Sequence, residues 1–126
     1  MTDMSRFVGT WSLVGIDTGD GRQFGGQAKG QIIYDNAGNM SAHVVLPPEQ
    51  PSAAPDGVVA PGYSGYFGTF TVDEADSVIV HHRVANTNPK APTDVRRQFH
   101  FTPEGHLVLT PRESQGNQLT FRRISK

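Results

Sequence analysis

The 126-residue chain contains no cysteine. A disulfide framework, a thiolate zinc site and a cysteine nucleophile are therefore excluded. The chain also has no excess of either charge, since its 11 lysines and arginines are balanced by 12 aspartates and glutamates. Proteins that bind nucleic acids or anionic membranes non-specifically rely on a strong positive excess. We therefore expect neither a nucleic-acid partner nor a membrane partner.

Long hydrophobic runs are absent as well. No segment approaches the roughly 18 apolar residues of a membrane-spanning helix. The first residues, Met1 to Arg6, lack the apolar stretch of a secretory signal peptide. We expect a cytoplasmic protein whose length fits a single domain over residues 1–126. The sequence leaves the oligomeric state open.

Helical periodicity is also missing, because no segment of 11 or more residues repeats its apolar positions at the helical spacing. Alternation of apolar and polar residues instead recurs between turn sequences rich in the chain's 14 glycines and 9 prolines. The predicted strands are 7–17, 28–34, 39–46, 66–72, 78–85, 95–101, 107–110 and 119–124. Eight consecutive antiparallel strands leave no unpaired edge if they close into a barrel, with a sandwich as the alternative. The interior of such a barrel holds side chains or one small ligand.

Several short segments, in this order, resemble the small bacterial and fungal lipocalin-like domain family. They are Gly9-Thr10-Trp11, 29–34, 38–43 with its Met-Ser-Ala-His, the pair His81-His82, and Leu-Thr-Phe-Arg-Arg at 119–123. The resemblance implies a closed up-and-down antiparallel barrel of about eight strands with a cavity. It also implies a structural role for Gly9 and Trp11, with Trp11 packed at the closed end beneath an arginine of the last strand. Arg123 is the matching residue, because it shares a face with Leu119 and Phe121.

The alternation of residues predicts which side chains face the interior. The valine-rich face of strand 78–85 is the better interior candidate. It carries Val78, Val80, His82 and Val84, and a turn at 73–76 pairs these with Val72, Phe70, Gly68 and Tyr66. The following strand then places Phe101, Phe99 and Arg97 opposite Val80, His82 and Val84. Arg97 and His82 become diagonal neighbours, about 7–8 Å apart at the backbone, and Gly68 leaves space before the imidazole.

His82, Arg97 and Tyr66 thus meet on an otherwise apolar wall. Burying an unpaired charge is costly, and no acidic residue shares these faces, so Arg97 needs water, carbonyl groups or a ligand oxygen. One interpretation makes His82 the catalytic acid or base, with Arg97 and Tyr66 stabilising a developing enolate or phenolate. The alternative is that the same side chains only pack in the core or hold a ligand without reaction.

The rest of the expected ligand-binding wall is mainly apolar and aromatic. Its predicted members are Tyr34, Met40, His43, Tyr63, Gly68, Phe70, Val80, Val84, Phe99 and Phe101. In the hairpin 28–46 we prefer Tyr34 and Met40 inward, although the opposite phase, with Ser41 and His43 inward, stays open. The proline-rich loop at 48–64, which includes Tyr63, is expected to lie over the mouth of the barrel.

These features predict a protein that binds a small hydrophobic or aromatic metabolite. It could act as a cofactor-free isomerase, cyclase or lyase of secondary metabolism, or as a non-catalytic carrier or sensor. No cofactor or metal site is predicted. His81 and His82 are neighbours on a strand and point to opposite faces, so they cannot bind one metal together.

Overall fold

The structure is a computed structural model that describes residues 4–17, 28–45, 63–87, 92–111 and 118–126. The eight strands form a closed barrel in which each strand pairs antiparallel with the next and the last pairs with the first. The strands are β1 (Gly9–Asp17), β2 (Lys29–Tyr34), β3 (Asn39–Val45), β4 (Tyr63–Asp73), β5 (Val78–Asn86), β6 (Asp94–Phe101), β7 (Leu107–Pro111) and β8 (Gln118–Ser125). The predicted all-β closed barrel is confirmed.

Three tight turns, after β2, β4 and β6, lie at one end of the barrel, which we call the closed end. In the first of them the Asp35 carboxylate accepts hydrogen bonds from the backbone N–H groups of Ala37 and Asn39, at 2.9 and 2.8 Å. Gly38 follows with a φ of 90°, a conformation that glycine adopts without strain. At the opposite end, which we call the distal end, the strands adjoin residues 18–27, 46–62, 88–91 and 112–117. Most of the predicted mouth loop therefore lies outside the described residues.

The closed end is filled by Trp11 and Phe7, both fully buried. The Trp11 indole N–H donates to the Phe7 carbonyl at 2.8 Å, and the Arg123 guanidinium lies 4.4 Å from the indole ring. Arg123 also donates to the backbone carbonyls of Val8 and Arg6. Gly9 has a φ of 136°, and a Cβ there would collide with the Ser125 carbonyl oxygen. The structure thus contains the packing expected for Gly9, Trp11 and Arg123.

The interior faces of four strands agree with the sequence prediction. Inward side chains on β2, β3, β4 and β6 are buried or packed against the core, and they are Ile32, Tyr34, Met40, Ala42, Tyr66, Phe70, Val72, Phe99 and Phe101. This settles the open phase of the first hairpin in favour of Tyr34 and Met40. Leu107, Leu109 and Phe121 complete the core from β7 and β8.

The predicted interior face of β5 is wrong. Val72 pairs with Ile79 and Phe70 with His81, a register one residue away from the predicted one. The cause is the turn at 74–77, which places Asp73 opposite Val78 and holds Ser77 at a φ of 54°. Because side chains alternate along a strand, a shift of one residue exchanges its two faces. Val80, His82 and Val84 therefore face outward, and Val84 is 73% exposed.

Two other expected pairings also differ. At β6, Arg97 lies opposite Ile79, so the predicted pairing with Val84 is wrong, although Arg97 shares the inward face of Phe99 as expected. A bulge between Phe67 and Gly68 lets the backbone of β5 approach closely, and a Cβ at Gly68 would overlap the His82 carbonyl oxygen. The lack of a side chain at Gly68 permits this close approach of the two strands. The prediction that Gly68 leaves space in front of the His82 imidazole is therefore wrong.

Candidate functional site

The centre of the candidate site is His81, the one buried polar or charged residue apart from tyrosine in the described part of the chain. Its Nε2 lies 2.7 Å from the hydroxyl of Tyr34, and its Nδ1 lies 2.8 Å from the hydroxyl of Tyr66. The three side chains come from β5, β2 and β4. Each is turned inward by the alternation of its own strand. Both ring nitrogens of a fully buried imidazole are thereby satisfied, as a buried polar group requires.

Burial keeps His81 and Tyr34 uncharged. It lowers the pKa of His81 well below its usual value, and the positive charges of Arg97 and Arg83 and the neighbouring His82 lower it further. Burial also raises the pKa of the Tyr34 hydroxyl well above its usual value. Tyr66 adds to that rise and Arg97 opposes it. Near neutral pH the site therefore holds a neutral imidazole and a neutral Tyr34 phenol.

Arg97 supplies positive charge beside this neutral pair. It lies on the inward face of β6, is half-buried, and acts electrostatically on both His81 and Tyr34. Within the described ranges Arg97 forms no ion pair. A half-buried guanidinium without an acidic partner favours an anion or a carbonyl oxygen brought by a ligand.

Arg83 is a member of the cluster that the sequence analysis missed. Its guanidinium lies 5.2 Å from the Tyr66 ring centre, and its Nε donates to the Pro92 carbonyl at 3.1 Å. Partial burial lowers its pKa from the usual value. The signal was present in the sequence, since Arg83 alternates with His81 and Ile79 on the face that was assigned outward.

His82, the predicted catalytic histidine, lies on the outer surface. Its Nδ1 is 3.0 Å from the Asp94 carboxylate, its Nε2 is 2.9 Å from the Thr71 hydroxyl, and its side chain is 34% exposed. The inward histidine is its neighbour His81. Of the predicted trio, the structure brings Arg97 and Tyr66 together with His81 and leaves His82 outside.

The predicted lining residues divide between the two faces of the wall. Tyr34, Met40, Phe70, Phe99 and Phe101 lie inside, whereas Val80 and Val84 lie outside. His43, which only the alternative phase of the hairpin placed inward, is exposed and lines a groove of about 380 Å³ on the outer surface together with Phe67 and Thr87. It is therefore not part of the interior wall. The side chain of Tyr63 lies outside the described part of the structure.

The interior therefore combines apolar and aromatic walls with a few hydrogen-bonding groups, the usual composition of a small-molecule site. Across the described ranges, no three histidine, aspartate or glutamate side chains meet as possible metal ligands. A helix long and apolar enough to cross a membrane does not occur in those ranges either.

Comparison with known proteins agrees with this architecture. Residues 8–124 match the family model described as a lipocalin-like domain. The match covers all eight strands except Ser125, the last residue of β8. Neither a curated protein nor a solved structure matches the chain significantly. By its sequence and its barrel, the chain belongs to the lipocalin-like domain family.

Proposed function

We propose that this protein binds a small apolar or aromatic molecule inside the barrel and holds one oxygen atom of that molecule near Arg97 and Tyr66. The lipocalin-like barrel is consistent with small-molecule binding. The observation that carries the proposal is Arg97, half-buried beside a neutral His81 without an acidic partner among the described residues. A ligand oxygen satisfies this charge, and the aromatic walls take up the apolar body.

Calorimetric titration with 2-naphthol, 2-tetralone and 2-naphthoate tests this proposal. Arg97→Gln removes the charge, and Arg96→Gln is the matched control because Arg96 is exposed on the opposite face of β6. A hydrogen bond to a charged group contributes about 1.5–3 kcal/mol, so Arg97→Gln is expected to weaken binding about tenfold or more. Arg96→Gln should bind like the wild type. Equal affinities of the two variants, or no binding of any probe, would contradict the proposal.

A second candidate function is acid–base catalysis at the same site inside the barrel. It is favoured by the position of His81, whose two nitrogens each contact a phenol hydroxyl that could carry a proton. His81 and Tyr66 would move the proton, while Arg97 would stabilise an enolate or phenolate oxygen. This is the chemistry of a cofactor-free isomerase, cyclase or lyase of secondary metabolism, and the alternative is a non-catalytic carrier or sensor.

Exchange of the α-protons of 2-tetralone for deuterium, followed by NMR, separates these two functions. An enzyme of this kind accelerates the exchange over the rate without protein, and His81→Gln should reduce that acceleration by about 10²–10⁴-fold. His82→Gln is the matched control on the outer face and should keep the wild-type rate. If the wild type does not exceed the protein-free rate, the protein is a carrier or sensor for this class of ligand.

A further inference from the structure

We infer that His81 carries its proton on Nδ1, so that the Tyr66 hydroxyl is a hydrogen-bond donor and the site selects ligands whose polar group is an acceptor. The ligand half of this inference rests on the proposed function, whereas the proton position does not.

The protons of the cluster can be counted. A neutral imidazole has one N–H donor and one nitrogen lone pair, so it can donate only once and accept only once. Both nitrogens lie within hydrogen-bond distance of a tyrosine hydroxyl. One tyrosine must therefore donate to the ring, and the other must accept from it. The accepting tyrosine keeps its own O–H proton for another partner.

The surroundings of Tyr34 decide which tyrosine donates. Tyr34 is 1% exposed, and its ring packs against Phe70 and Phe7 with centroid distances of 4.7 and 5.8 Å. Among the described residues its hydroxyl hydrogen-bonds only to His81. If Tyr34 accepted from His81, its own proton would point unpaired into an aromatic core, at the desolvation cost of a buried donor. Tyr34 therefore donates to Nε2, and Nδ1 carries the ring proton.

The Tyr66 hydroxyl consequently accepts from Nδ1 and retains its proton. Tyr66 is 7% exposed. It lies on the distal half of β4, where it pairs with Asn86 of β5, and so away from the closed end that Phe7 fills. Accepting a bond from the imidazole also strengthens Tyr66 as a donor, because hydrogen bonds in a chain polarise one another.

The neighbouring charged groups also favour a ligand that accepts hydrogen bonds. Arg97 and Arg83, which face the cluster from β6 and β5, are donors without acceptor atoms. His82, also near, lies on the outer face of β5 and is engaged by Asp94 and Thr71. A carbonyl, carboxylate or phenolate oxygen matches such a site. An ammonium group does not, since it has only donors and the same charge as the arginines.

Nitrogen-15 NMR of the histidine rings tests the proton position without any ligand. We expect His81 to show a protonated Nδ1 and an unprotonated Nε2, with its signals identified by their loss in His81→Gln. Tyr66→Phe leaves the Tyr34 donor in place and should preserve this pattern. Tyr34→Phe removes the donor to Nε2 and should reduce the population protonated on Nδ1. A wild-type ring protonated on Nε2, or the opposite response of the two variants, would overturn the inference.

Fluorescence titration with two probes of equal apolar size tests the selectivity. We expect 2-naphthoate to bind at least tenfold more tightly than 2-naphthylmethylammonium, and Tyr66→Phe to weaken naphthoate binding about tenfold. Equal binding of the two probes would overturn the selectivity, while the NMR result would stand separately. Binding of neither probe would count against the proposed function and would leave the proton position to the NMR experiment.

Discussion

His81 has its charge state fixed by its surroundings. The imidazole is fully buried, hydrogen-bonded at both nitrogens, and flanked by guanidinium groups that disfavour a further positive charge. Arg97, by contrast, has no acidic partner in the described ranges. A neutral His81 hydrogen-bonded to two tyrosines, next to a guanidinium, is a polar site embedded in an aromatic core.

This charge state predicts a pH dependence of stability. The pKa of His81 in the folded protein lies below the 6.5 of the free side chain, so below that pH the unfolded chain binds more protons than the folded one. The contribution of neutral His81 to the free energy of unfolding is fully present above pH 6.5. It is lost as the pH falls towards the pKa of His81 in the folded protein. Between pH 6.5 and 5.5, the free energy of unfolding of the wild type should fall by about 1 kcal/mol more than that of His81→Gln.

Urea unfolding at these two pH values measures the difference. His82→Gln is the control, because it removes a histidine from the outer face and should leave the contribution of His81 intact. Parallel pH curves for wild type and His81→Gln would show that His81 is not held neutral by the fold.

At the scale of the strands, the prediction from sequence succeeded wherever alternation was continuous and failed where a turn set the register. In β2 and β3 the turn at 35–38 is short, and one face of each strand is clearly more apolar than the other, so the inward face could be predicted. Across β4 and β5 both faces of the second strand contain apolar residues, so only the turn could decide. The left-handed conformation of Ser77 is not evident from a serine, a residue that rarely adopts it.

That single turn accounts for the assignment of His82 in place of His81. The residue types of the site, a histidine with Arg97 and Tyr66, could be predicted because an inward arginine without acidic neighbours is rare. Tyr34 was predicted on the interior wall, but its contact with His81 and the contact of Arg83 with Tyr66 could not be predicted, since both depend on the register between strands.

The turn itself provides a test. Replacement of Ser77 by glycine removes the cost of a side chain in the left-handed region, and we expect the free energy of unfolding to rise by about 0.5–1 kcal/mol. The backbone hydrogen bond from Phe99 N–H to the Ser77 carbonyl, at 2.9 Å, is kept in the variant. Chemical unfolding measures the change, with Ser77→Ala as the control. A Ser77→Gly variant less stable than Ser77→Ala would contradict this account of the register.

The bulge at Gly68 gives a second test at this scale. Gly68→Ala forces a Cβ into the His82 carbonyl, an overpacking that should cost about 1–3 kcal/mol. Gly105→Ala is the comparison, because a Cβ there meets nothing within 4 Å and only its φ of 87° is unfavourable. Thermal unfolding should show the larger loss for Gly68→Ala, and the reverse order would argue against close approach of β4 and β5.

For the whole molecule, the pairing of β1 with β8 closes the barrel, and Arg123 ties that seam to the N-terminal segment. Its guanidinium covers Trp11 and donates to the carbonyls of Val8 and Arg6. These contacts seal the closed end, and the polar cluster of His81 lies between that end and the distal end. The fold thus places its hydrogen-bonding groups inside a barrel closed at one end by aromatic packing.

Loss of this seal should destabilise the barrel. Arg123→Gln removes charged hydrogen bonds and the contact with Trp11, at an expected cost of about 1.5–3 kcal/mol. Arg122→Gln is the matched control, since Arg122 is exposed on the other face of β8, and should change stability by less than about 0.5 kcal/mol. Urea unfolding distinguishes the two variants, and equal stability losses would show that Arg123 does not hold the seam.

The central claim is that the ligand binds inside the barrel next to the His81 cluster. Intermolecular NOEs of bound 2-naphthoate test it most directly, because aromatic rings lie on both faces of the wall. We predict contacts from the naphthalene protons to the rings of Phe70 and Phe99, which face the interior and do not line the outer groove. Contacts to Phe67 instead, which is 54% exposed and lines the outer groove, would contradict the claim.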